Sequence, residues 1–335
     1  MKLSRARPAR PGRRIPKGMR RSPESPSSAP AFPGGALPSM KHSRAVLLMI
    51  AVTLLWSTAG VVSRHLEAAR SFEITFWRSG FNALALALAL AWMRGPALWG
   101  QLRAAGRPVW ISGLCWATMF TAFMLALTQT SVANVLVTMS LGPLLTALFA
   151  RLFLHHRLPA RTWGAIALGS AGIAWMFGHE MRGGGQALAG MAIAFAVPLA
   201  AATNWTLLQH SHRRGAAEEG AAAPDMLLAV LLGALISCVL TLPLAWPLQA
   251  GWHDLGLLAG LGVFQLALPC LIVVQLSRVL PAPEIALLGL LEVIFGVLWA
   301  WLGAGEAPSS AALAGGAMVL AALVGNEILG LRAGR

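Results

Sequence analysis

Between residues 45 and 329 the chain is a series of apolar runs, each about 20 residues long, parted by short polar turns. As a helix, a run of that length matches the ~30 Å hydrocarbon core of a bilayer. In oil every backbone N–H and C=O must be paired within the protein, so a segment that crosses it is a helix or part of a closed barrel. The stretch ALALALALA (83–91) alternates with the period of a strand. Both alternating residues are apolar, and with its neighbours the run is too long for a strand, so a spanning helix is expected. Ten spans are placed at 45–63, 73–93, 109–128, 132–153, 162–178, 187–208, 226–246, 255–275, 283–302 and 309–329. The fold class is an all-α polytopic membrane protein. Composition agrees: 57% of the 335 residues are hydrophobic and 11% are charged, against about 25% charged in soluble domains.

The net charge of +14 could indicate a nucleic-acid partner. Its placement argues instead for membrane orientation, with the lipid bilayer as the partner and no nucleic acid. If the amino terminus is cytoplasmic, 22 of the 26 Lys and Arg fall on the cytoplasmic side, and the ratio is 13 to 3 once residues 1–39 are set aside. The positive-inside rule therefore places both termini in the cytoplasm, in the plasma (inner) membrane. Residues 1–44 form a basic Pro/Ser-rich tail whose prolines forbid a regular helix. That tail is either disordered or precedes a start set too early, since Met40 opens MKHSRAVLLMIAV, a natural amino terminus. Residues 330–335 are a short cytoplasmic tail. Cys115, Cys238 and Cys270 lie within apolar runs and have no metal or disulfide spacing.

Ten spans divide into two groups of five, 45–178 and 187–329, at the GGGQ loop (183–186). Five is odd, so a second copy would sit inverted in the membrane. Two inverted five-helix repeats are a common carrier architecture, with the substrate near the midplane between them. Laying 131–158 over 281–308 yields four identities, Leu141/Leu291, Leu148/Leu298, Ala150/Ala300 and Leu152/Leu302. Two apolar segments share that many by chance, so the topology carries this argument.

No enzyme or cofactor signature emerges. His155 and His156 lack zinc-helix spacing, and GGGQALAG (183–190) lacks the Lys-Ser/Thr of a phosphate loop. The informative residues are polar ones inside spans. In LGLLEVIFGVLWAW (288–301), Glu292 is the one residue that is neither apolar nor Gly. It lies nine residues after Pro283, roughly 14 Å along a helix, near the bilayer centre. An acid there costs about 3 kcal/mol on insertion scales, so it should face a cavity, where it can bind substrate or carry a proton. The bland alternative is a structural acid paired between helices. Arg78, in EITFWRSGF, either holds an anionic group or snorkels to the headgroups. It follows Glu73 by five residues, a poor intrahelical pair. Asn134, Asn204 and Gln265 are further substrate or coupling candidates, weighed against a role as glue between helices. Arg64 and His65 are expected at the interface, and Glu284 at a helix start. Pro143, Pro198, Pro243 and Pro269 interrupt spans, and Gly256 and Gly260 form a GxxxG packing signal.

Three segments carry a resemblance. SVANVLVTMSLGPLLTALFARLFLHHRL (131–158), PAPEIALLGLLEVIFGVLWAWLGAGEAP (281–308) and FWRSGFNALALAL (76–88) are similar to spans of EamA-type carriers in the drug/metabolite transporter superfamily. The resemblance covers residues 45–329. It implies a basket of ten helices around a central cavity, with export of a small amino acid-, purine- or drug-like metabolite by alternating access, open to proton coupling. Two positions depart from the family pattern. Its Leu-Glu-Pro is Leu291-Glu292-Val293 here, which implies a straighter ninth helix. Its first-half Gly-Glu-Arg-Leu is His155-His156-Arg157-Leu158, while the second-half acid is present as Glu306. An integral membrane enzyme or lipid-handling protein using the same cavity is the alternative, and a homodimer stays open.

Overall fold

The computed structural model describes residues 41–153, 159–183, 185–217, 226–276, 279–280, 288–289 and 291–333. The described residues are helices and short connections, without a strand. The basic tail (1–40), His155, His156, Arg157, Leu158, Pro283 and Glu284 lie outside them.

The helices in order are α1 (His42–Ser63), α2 (Ser71–Arg94), the short α3 (Ala97–Arg103), α4 (Arg107–Gln129), α5 (Val132–Met139), α6 (Gly142–Phe153), α7 (Ala160–Gly183), α8 (Gly185–Ala217), α9 (Met226–Ala245) and α10 (Trp252–Gly260). A π-helical segment, Leu261–Ala267, runs on from α10 into α11 (Leu268–Leu276). The last helices are α12 (Leu291–Ala304) and α13 (Ser310–Ala333). Residues 83–91 are helical within α2, as their length predicts.

Eight helical stretches among the described residues are long and apolar enough to cross a membrane. They include Val132–Phe153, in which α5 and α6 count as one span, and Trp252–Val273. The ten expected spans are therefore not all met. The fifth falls on α7, which is long enough but is diluted by Gly164, Gly169, Ser170, Gly172, Gly178 and His179. The ninth falls on α12, 14 residues in its described part. Boundaries shift as well. Helix α7 reaches Gly183 and α8 starts at Gly185, so the expected GGGQ loop is almost wholly helical. Helix α8 also runs nine residues past its expected end, because no Gly or Pro follows Pro198 until Gly215.

Each proline has a local consequence. The fourth span breaks between α5 and α6, directly before Pro143. A proline offers no N–H to the preceding turn and is best tolerated at a helix start. Pro198 and Pro243 are carried inside α8 and α9. Pro269 follows the π segment, and the Leu268 N–H reaches back five residues to Val263 O. Without an N–H at Pro269, the Gln265 carbonyl loses its usual donor, and the ladder widens in the turn before it.

Buried apolar side chains join the helices in several clusters. One combines α1, α2, α4, α5, α8, α10, the π segment and α12 through residues such as Ala59, Ile74, Phe123, Leu136, Leu258 and Val293. A second packs α9 against α2 and α4, and a third packs α7 and α13 with α5, α6 and α8. Helices α7 and α13 cross at Gly172 and Gly315, where a Cβ on either would lie 2.8 or 2.7 Å from the other's carbonyl oxygen. The expected GxxxG does not make such a crossing. A Cβ on Gly256 or Gly260 would meet nothing within 4 Å among the described residues. Trp99, Trp110, Trp246 and Trp252, near helix ends, are exposed, as an aromatic belt requires.

Candidate functional site

Arg78, in the middle of α2, is a buried charge with 2% of its surface exposed. Its Nε and Nη2 both donate to Gln265 Oε1, at 3.3 and 2.9 Å. Gln265 is itself turned by donating from Nε2 to the Trp56 carbonyl of α1, 3.1 Å away. The guanidinium also lies 5.6 Å from the centre of the Phe123 ring on α4. Three helices and the π segment thus hold one cation. Gly262 lets the π segment come this close, since a Cβ there would be 2.6 Å from Phe81 Cβ, 2.8 Å from Arg78 O and 2.9 Å from Asn82 N. Arg78 does not snorkel, and Glu73 does not pair with it. Glu73 Oε1 accepts from the Gln249 and Ala250 N–H groups, both at 2.8 Å.

Glu292 is half-buried in the first turn of α12. Its helix packs into the same core cluster as α1, whose Trp56 holds Gln265. Two turns on, Trp299 Nε1 donates to Ser57 Oγ on α1 at 3.1 Å, which draws the same helix toward Trp56 and Gln265. The expected candidates therefore divide. Arg78 and Gln265 come together. Asn134 bonds locally, from Nδ2 to Thr130 Oγ1 at the end of α4, 3.0 Å away. Asn204 Oδ1 accepts from Ser112 Oγ at 2.6 Å, tying α8 to α4, which is the glue role.

Sequence reasoning passed over several residues. Asn82 is fully buried, and neither its Nδ2 nor its Oδ1 has a partner among the described residues. Its spacing of four from Arg78 was the available signal, because i and i+4 share a helix face. Ser79, Thr121 and Ser237 form a hydroxyl cluster, with Ser79 and Thr121 each 2.9 Å from Ser237 Oγ. Separated by up to 158 positions, they left no local pattern.

One end of the bundle is tied by carboxylates. Asp254 accepts from the N–H groups of Glu67, Ala68 and Ala69 at 2.8 to 2.9 Å. Glu306 takes Arg64 Nε at 2.6 Å and the Val132 N–H at 2.5 Å. Arg64 also donates to the carbonyls of Leu127 and Thr130, at 2.7 and 2.9 Å. Arg64 is thus tied into the helix ends. A cavity of about 400 Å³ lies elsewhere, among Leu141, Leu145, Leu148, Ile166, Ile173 and Phe195 of α6, α7 and α8 and their flanks.

This geometry, a buried cation between apolar spanning helices, is that of a membrane protein with a polar interior. Residues 43–178 match the EamA-like transporter family. The EamA match and the eight apolar helices make the chain a multi-pass membrane protein, and point to a transporter of the drug/metabolite type. Comparison with curated proteins returns no match. A solved structure described only as "Crystal structure of protein" superposes with a TM-score of 0.56 at 20% identity, over 86% of this chain and 99% of the other. At that identity the likeness concerns the fold alone.

Proposed function

We propose that the protein is a secondary carrier of the plasma membrane, exporting a small metabolite by alternating access between two inverted five-helix halves. In this reading α7 and α12 complete a set of ten spans, and both termini are cytoplasmic. The observation that carries it is the buried Arg78, clamped by Gln265 of the π segment. A charge set inside apolar helices costs stability, and such residues mark substrate or ion pathways. The π segment supports the same view, since π-helical turns concentrate at functional sites. The family match over the first half supports the repeat, because 43–178 coincides with the segment expected to form one five-helix unit.

Glu292 is the proposed proton carrier. The test is flux in liposomes with a pH-sensitive dye inside, comparing the parent with Glu292→Gln. Substrate-dependent proton movement that the variant lacks is the expected result. A variant that moves substrate and protons like the parent, with the same pH response, refutes the coupling role.

A further inference from the structure

The carrier reading leaves open what Arg78 is held in place for. Nε and Nη2 converge on one oxygen, Gln265 Oε1, so the clamp uses one edge of the guanidinium. Nη1 is buried and has no partner among the described residues. One turn along the same face of α2, both polar atoms of the fully buried Asn82 side chain are also without partners there. Native proteins seldom leave buried donors unmatched, and each exception asks for an explanation. Other such atoms are scattered singly over the described residues, at Glu73, Trp116, Asn134, Arg161, Asn204 and Thr206, whereas Arg78 Nη1 and both polar atoms of Asn82 fall one turn apart on a single face of α2, on and beside a cation whose orientation is fixed by a second residue.

We propose that Arg78 Nη1 and the Asn82 amide bind a carboxylate group of the transported substrate, with Gln265 as the positioning residue. This rests on the carrier reading and names its substrate class. Two neighbouring N–H donors suit the two oxygens of a carboxylate, and a charge-assisted bond is the strong kind. A cation is disfavoured by the guanidinium itself. A phosphate monoester is disfavoured by charge balance: the one positive charge of Arg78 can offset one negative charge but not two in a low-dielectric interior. Asn82 Oδ1 remains as an acceptor for a donor next to the carboxylate. Gln265 acts through Arg78: by occupying Nε and Nη2 it leaves Nη1 as the free edge.

The test uses the full chain, in detergent for binding and in liposomes for flux. The probes are L-leucine, L-phenylalanine and 4-methyl-2-oxopentanoate, each against its carboxamide, with phenyl phosphate and ethidium alongside. The wild-type comparison needs no variant to fold. Carboxylates should raise the unfolding temperature, and the carboxamides and phenyl phosphate should bind about ten- to a hundredfold more weakly. Gln265→Leu should weaken carboxylate binding while leaving carboxamide binding as it was, which a merely structural glutamine would not do. Carboxamides binding as tightly as the acids, or no carboxylate binding at all, overturns the inference. Proton-coupled ethidium movement without any carboxylate effect would overturn it and keep the carrier. Carboxylate binding without movement of any probe would keep the site and overturn the carrier.

Discussion

At the scale of single residues, the bundle interior turns on Arg78 and what faces it. Replacing Arg78 with Gln removes the charge and the fork that meets Gln265 Oε1. It should abolish flux with expression retained, as measured by transport per folded protein in liposomes. Gly262→Ala tests the close approach. Its Cβ would press within 3 Å of Phe81 Cβ, the Arg78 carbonyl and the Asn82 nitrogen. Two of those atoms are backbone, which cannot turn aside, so the helices must part. Overpacking of this kind costs about 1–3 kcal/mol, read as a lower unfolding temperature in detergent, with Gly256→Ala, which meets nothing, as the neutral control. Arg78 and Glu292 as intramembrane charges were legible in the sequence, because a charge inside an apolar run stands out wherever it occurs. The partnership with Gln265 was not, since it spans 187 positions and depends on which face of each helix turns inward.

At the scale of elements, the π segment is the feature that positions the site. It precedes Pro269, and the bond from Leu268 to Val263 shows the widened register. Pro269→Ala restores an N–H to the ladder and should return the segment to an α-helix. Gln265 would then rotate away from Arg78, and transport should fall while thermal stability holds or rises, since proline in a helix interior is unfavourable. Flux and unfolding temperature measured together decide it: unchanged transport would show that the π register does not matter. A sequence reading sees Pro269 as a kink or as an ordinary membrane proline. The direction in which the ladder yields is set by what packs beside it, here α2 at Gly262.

At the scale of the whole molecule, one end of the bundle is held by carboxylates that accept backbone N–H groups from distant loops. Asp254 gathers 67–69, Glu73 gathers 249–250, and Glu306 joins Arg64 to the start of α5. Glu306→Ala should leave the Val132 N–H and Arg64 short of a partner and lower stability by about 1–3 kcal/mol, measured by thermal unfolding. An alternating-access carrier must break such ties to open at that end, so the same variant should shift the balance of conformers toward the one open there. An impermeant thiol reagent reading a cysteine placed at Ala68 would detect this as faster labelling.

Much of this protein follows from its sequence by itself. Runs of about 20 apolar residues can only be buried in lipid as helices, and intramembrane charges identify themselves against such a background. What only the tertiary structure decided is which polar groups meet. Gln265 reaches Arg78 and not solvent, Asn134 bonds to the end of α4, Asn204 bonds to α4, and both polar atoms of Asn82 are without a partner among the described residues. The physical reason is that hydrophobicity in a membrane helix is nearly uniform around its axis, so the sequence states that a helix is buried in oil but not which face meets another helix. Facing is settled by close-approach glycines, by a proline that shifts the ladder, and by hydrogen bonds between residues more than a hundred positions apart.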